Sequence, residues 1–253
     1  MNATAQTAES YFAAGLEKYK KGLYKEALDD YSKAIEVNPQ YSEAYYNRGT
    51  IKVDLGNKEG AIADYTKAIE LNPQFAEAYS NRGIVKASLG DTESAIADFN
   101  KAIEVNPQYA KAYDDRGTTK FDLGDKEGAI SDYTKAIEVN SQYADAYYNR
   151  GVAKASLGDK YGAIADWTKA IEVNPQDANA YYNRGYAKDE LGDKNGAISD
   201  YTNAIELNPQ IALAYFNRAK AYRHQGKILL TCADLQKAKE LGHIEAASMI
   251  EKH

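Results

Sequence analysis

The sequence predicts an all-α solenoid of helix-turn-helix repeats, and three observations predict it. A 34-residue unit recurs seven times, at 8–41, 42–75, 76–109, 110–143, 144–177, 178–211 and, degraded, 212–245. Such a period marks an array in which each unit buries its apolar face only against its neighbours. Glycine always stands at position 15 of the unit: Gly22, Gly56, Gly90, Gly124, Gly158, Gly192 and Gly226. All five prolines stand at position 32: Pro39, Pro73, Pro107, Pro175 and Pro209. A glycine closing a helical stretch reads as a left-handed C-cap, and a proline marks where the next helix must stop.

Each unit is therefore read as helix A, a tight turn, helix B and a short link. Small residues recur where the two helices must approach: glycine at position 8 (Gly15 to Gly185), and alanine at positions 20 (Ala27 to Ala197) and 27 (Ala34 to Ala238). Position 24 supplies the bulk that fills these gaps: Tyr31, Tyr65, Phe99, Tyr133, Trp167, Tyr201 and Leu235. The spacing is helical, and the packing expected is large side chain against small hole. Residues 1–7 are read as a tail, 8–245 as the array and 244–253 as a C-terminal cap overlapping repeat seven. A terminal repeat needs such a cap, and Ile244, Ala247 and Met249 or Ile250 of a helix at 244–252 are expected to cover the last interface. Ile228, Leu229 and Leu230 are apolar where other repeats are charged, which suits either contact with the cap or a self-association patch.

These residues resemble the tetratricopeptide repeat family over residues 8–241. The resemblance implies a right-handed superhelix whose A helices line a concave groove, with positions 2, 5, 6, 9, 12 and 13 facing it. Position 6 carries Asn47, Asn81, Asp115, Asn149, Asn183 and Asn217. Asparagine offers both a donor and an acceptor, so it can pair with the backbone of an extended peptide whatever its sequence. The run is similar to the asparagine ladder in the tetratricopeptide arm of the O-linked N-acetylglucosamine transferase family. The competing reading is that these amides bond locally within the stack. Tyr46, Tyr148, Tyr182 and Phe216 at position 5, with Tyr186 at position 9, are candidate aromatic anchors.

Six of the seven arginines occupy position 7, Asp is invariant at position 23, and Lys fills position 11 except in repeat seven. The expectation is that each Asp pairs with the Arg of the following repeat, with the Lys of its own repeat nearby. The alternative is a basic track for an anionic ligand.

Composition narrows the function. The net charge of −6 and the lack of a basic stripe argue against nucleic acid. No run is long enough for a membrane span, and MNATAQTAESYFAAG has no signal-peptide pattern, so a cytoplasmic protein is expected. Cys232 is the only cysteine, and His224, His243 and His253 gather at the degenerate end without metal-ligand spacing. No metal, cofactor or catalytic residue is expected, and the reading is non-enzymatic. The groove positions are acidic in the middle of the array (Asp114, Asp115, Asp122) and basic at its end (Lys220, Arg223), which favours a partner segment carrying basic residues. A clamp for the acidic tails of chaperones, known in the family, is argued against by Phe12 and Leu16 where Lys and Asn would stand. Two functions remain: an adaptor that holds a protein or peptide partner in its groove, or a self-assembling scaffold, a homo-oligomer built through the array ends or convex face.

Overall fold

The structure, a computed structural model, describes residues 7–250, all helix, turn or link with no strand among them. Of the expected tail only Thr7 is described, and residues 251–253 of the expected cap also lie outside the described residues. Two compact units divide the chain, at 1–123 and 124–253. The first holds α1 (Ala8–Lys20), α2 (Tyr24–Val37), α3 (Ser42–Asp54), α4 (Lys58–Leu71), α5 (Ala76–Ser88), α6 (Thr92–Val105) and α7 (Ala110–Asp122). The second holds α8 (Lys126–Val139), α9 (Ala144–Ser156), α10 (Lys160–Val173), α11 (Ala178–Glu190), α12 (Lys194–Leu207), α13 (Ala212–His224), α14 (Ile228–Glu240) and α15 (Ile244–Ile250).

Local chemistry sets the helix ends. Asn57, Asp91, Asp125, Asp159 and Asp193 stand at the N-caps of the B helices, and each accepts a hydrogen bond from the backbone N–H three residues on. This satisfies one of the orphan donors of the first turn. At the other end, Asn38, Asn72, Asn106, Asn140, Asn174 and Asn208 leave the helix, and each Oδ1 accepts from the N–H two residues later. That turn delivers the chain to the next A helix. All seven position-15 glycines have positive φ, 79° at Gly56, as a left-handed cap requires.

The core of repeats one to six is one ring in one gap, and Leu235 takes the ring's place in repeat seven. Tyr65 is 1% exposed between Ala61 and Ala68, and a Cβ on Gly49 would stand 2.9 Å from its Cε1. Trp167 fills the same place opposite Gly151, and its indole N–H donates to the Tyr148 carbonyl at 3.2 Å.

The charged ladder is wired differently from the expectation. Asp64 pairs with Arg48 of its own repeat, not with Arg82 of the next, and the same holds for Arg82–Asp98, Arg150–Asp166, Arg184–Asp200 and Arg218–Asp234. Each Arg grips both carboxylate oxygens with Nε and Nη2, and its Nη1 donates to position 25 of the preceding helix B. Those acceptors are Ser32, Thr66, Asn100, Thr134, Thr168 and Thr202. The reason is geometric: positions 7 and 23 face each other across one helical hairpin, and only the third guanidinium nitrogen is left to cross the repeat boundary. Repeat one carries Ala14 at position 7, and there Lys18 pairs with Asp30. The expected in-repeat lysine contacts are present at Lys52–Asp64, Lys86–Asp98, Lys154–Asp166 and Lys188–Asp200.

At the C-terminus, Ala246 and Met249 of α15 cover Phe216, Ala219, Leu235 and Ala238. Ile244, expected to share that role, is 89% exposed. Ile228, Leu229 and Leu230 also stay open to solvent, Leu229 at 87%. No described helix is long and apolar enough to cross a membrane.

Candidate functional site

Successive A helices are clasped to one another by the very residues expected to meet a peptide. The Asn81 amide N–H donates to the Tyr46 hydroxyl at 2.9 Å, Asn183 to Tyr148 at 3.0 Å and Asn217 to Tyr182 at 3.2 Å. Each bond joins position 6 of one repeat to position 5 of the repeat before it. Burial pushes the Tyr46, Tyr148 and Tyr182 phenols up, and the amide donor partly offsets this. The local-bonding reading thus holds for these amide N–H groups, and the carbonyl oxygen is the part of each amide that the clasp does not use. Asn47 donates instead to the Glu43 carbonyl, because repeat one offers Phe12, which has no hydroxyl. Asn149 is half-buried on the same helix face.

The clasp changes character between repeats three and four. Ser80 replaces tyrosine and Asp115 replaces asparagine, and the Ser80 hydroxyl lies 3.0 Å from Asp115 Oδ2. Lys111 also donates to Asp115, at 2.7 Å. Burial raises the Asp115 carboxyl above its ordinary range, and Lys111 only partly counters it.

Two cavities open at the same register in consecutive repeats of the first unit. One, of about 140 Å³, is lined by Thr50, Val53, Asp54, Tyr65, Asn81, Ile84 and Val85. The next, of about 230 Å³, is lined by Ile84, Ala87, Ser88, Phe99, Asp115, Thr118, Thr119 and Asp122. Both have an apolar floor and carboxylates on the wall, and Ile84 is common to both.

The remaining anchors divide. Tyr186 is 45% exposed on the A-helix face. Phe216 and Asn217 are each 6% exposed, against the expectation of groove residues, because α15 folds over Phe216 and His243 stacks on its ring at 4.0 Å. Missed from sequence were the rings at position 34, where Tyr41 packs on Phe12 at 4.9 Å and Phe75 on Tyr46 at 4.7 Å. Tyr109 occupies the same place, its phenol pushed by burial to about 12. The aromatic run Tyr41, Phe75, Tyr109, Tyr143 was the available signal.

A stack of paired helices clasped in this way defines a helical-repeat protein with an open A-helix face. The chain belongs to the tetratricopeptide repeat family. Family models described as "TPR repeat" or "Tetratricopeptide repeat" match residues 15–56, 49–90, 76–109, 117–158, 144–177, 178–211 and 200–233. No curated protein matches the chain. Among solved structures, MamA is 30% identical, with a TM-score of 0.58 over 65% of this chain and 96% of that one. YrrB, described as a TPR protein with an unusual peptide-binding site, is 25% identical, with a TM-score of 0.63 over 75% of this chain and 98% of that one. A tetratricopeptide repeat protein from Parabacteroides merdae shares the fold at 22% identity, with a TM-score of 0.67 over 96% and 97% of the two chains. Proteins of this family generally mediate protein–protein interactions.

Proposed function

We propose that the chain is a non-enzymatic interaction module whose A-helix face in the first unit holds an extended partner segment carrying basic side chains. The paired cavities around Ile84 carry this reading. An apolar floor takes the aliphatic stem of a lysine or arginine, while Asp54, or Asp115 with Asp122, meets the charged head. Repetition at one register suits a partner read along its length, with alternate side chains entering successive cavities. The description of YrrB as peptide-binding supports the same class of function.

The test is an array of nonapeptides with graded charge, probed with the full chain. Ile84→Arg sets a cation of the protein's own on the wall that the two cavities share. Wild type should retain lysine- and arginine-bearing peptides, and the variant should lose about tenfold or more, a difference of roughly 1.4 kcal/mol. Equal retention by the two proteins, or no preference of wild type for basic peptides, refutes the proposal.

A further inference from the structure

The second unit carries a cavity of opposite sign that owes nothing to the Tyr–Asn clasps. It measures about 670 Å³ and is lined by Phe216, Lys220, Arg223 and His224 of α13 with Glu245 and Met249 of α15. That size lies within the range of about 300–1,000 Å³ typical of ligand sites. Its cations are peculiar to repeat seven. Position 9 holds Leu16, Thr50, Ile84, Thr118, Val152 and Tyr186 in the other repeats, and then Lys220. Position 12 carries a base only at Arg223.

These bases differ from the ladder arginines and lysines in having no carboxylate of their own. The ladder cations are bonded to the buried aspartates of helix B, whereas Lys220 and Arg223 are exposed and make no ion pair among the described residues. Lys220 instead sits over the Phe216 ring at 5.5 Å from its centroid. Among the described residues Glu245 is the one carboxylate on the wall, so two permanent cations and an imidazole face a single anion there. The floor is preformed: Phe216 is 6% exposed under the stacked His243 ring, and Met249, which packs against the same cluster, is partly open to the cavity. A fixed apolar floor with an unbalanced cationic rim favours an occupant that is apolar at its centre and anionic around it. The cavity opens at positions 9, 12 and 13 of an A helix, the face on which Tyr186 is exposed one repeat earlier. A chain running along that face reaches it directly.

We propose that this cavity docks an acidic segment of a partner protein, with one apolar side chain on Met249 and flanking carboxylates on Lys220 and Arg223. The proposal stands independently of basic-segment binding in the first unit.

The probe is a set of nonapeptides with a central leucine or phenylalanine flanked by glutamate, glutamine or lysine. Wild type should retain the glutamate-flanked peptides about tenfold or more over the glutamine-flanked ones, and added salt should reduce the margin. Replacing the central residue with serine should abolish retention. Lys220→Glu and Arg223→Glu alter exposed side chains, so far-UV circular dichroism should be unchanged while acidic-peptide retention falls about tenfold or more. Retention of lysine-bearing peptides on the first unit should survive both substitutions, as acidic-peptide retention should survive Ile84→Arg. Equal retention of glutamate- and glutamine-flanked peptides by wild type overturns the proposal, as does acidic-peptide retention that persists in the double variant.

Discussion

Arg82 tests the wiring of the repeat most directly. Its side chain is 15% exposed and bonds both oxygens of Asp98 at 2.9 and 2.6 Å, with Thr66 of the preceding repeat at 3.0 Å. Arg82→Met keeps an unbranched apolar stem and removes all three bonds, together with the guanidinium that lies 5.7 Å from the Tyr79 ring centroid. Breaking a buried pair from one side costs about 3–5 kcal/mol. Lys86, 2.8 Å from the same carboxylate, stays as a counter-charge, so the lower end, about 3 kcal/mol, is expected. In a chain of this length that lowers the melting temperature by about 6–12 °C. The decisive assay is a pair of double-mutant cycles by urea unfolding, Arg82→Met with Asp98→Asn and Arg82→Met with Asp64→Asn. The Arg82–Asp98 cycle should return a coupling of about 1.5–3 kcal/mol, the range for hydrogen bonds to charged groups. The Arg82–Asp64 cycle should return less than about 0.5 kcal/mol, as for residues that share no contact. A larger coupling to Asp64 would refute the in-repeat assignment.

Two further predictions rest on buried polar groups. Because burial raises the folded-state Asp115 carboxyl, the native state holds that proton more tightly than the unfolded chain, and stability falls as pH rises from the ordinary aspartate value through the raised one. Asp115→Asn should therefore be more stable than wild type to urea at pH 7, and the gap should close below the ordinary aspartate range; a gap that widens on acidification would contradict this. The Tyr65 hydroxyl meets Thr50 at 3.2 Å, whereas the Tyr31 hydroxyl is buried without a partner among the described residues, its neighbour at position 9 being Leu16. Tyr65→Phe should then cost about 1 kcal/mol while Tyr31→Phe is neutral or stabilising, and thermal melts showing the reverse order would count against the assignment.

Much of the fold was legible because the repeat exposes it seven times over. Gly56 announces a left-handed turn because other residues pay a steric penalty there. Gly49 beside Tyr65 announces a helix crossing too close for a Cβ. The candidate site was legible only in part. Position 6 was recognisable as a run of amides, but each amide has two ends, and periodicity does not say which neighbour takes the N–H. Phe216 looked like Tyr46 and Tyr182 by position, and α15 is what buries it.

The period, the helix pairs, their caps and the rings that fill their gaps follow from residue order alone, since all of these rest on contacts within a unit or with its immediate copy. The partners needed the packed helices: Arg82 with Asp98 rather than Asp64, Asn81 with Tyr46, and the closing of α15 over one side of a basic cavity. An ion pair or hydrogen bond depends on reach and direction at the scale of a few ångströms, and an exact repeat offers the same residue types at every interface. Composition cannot separate those choices, and the packing of one helix on the next does.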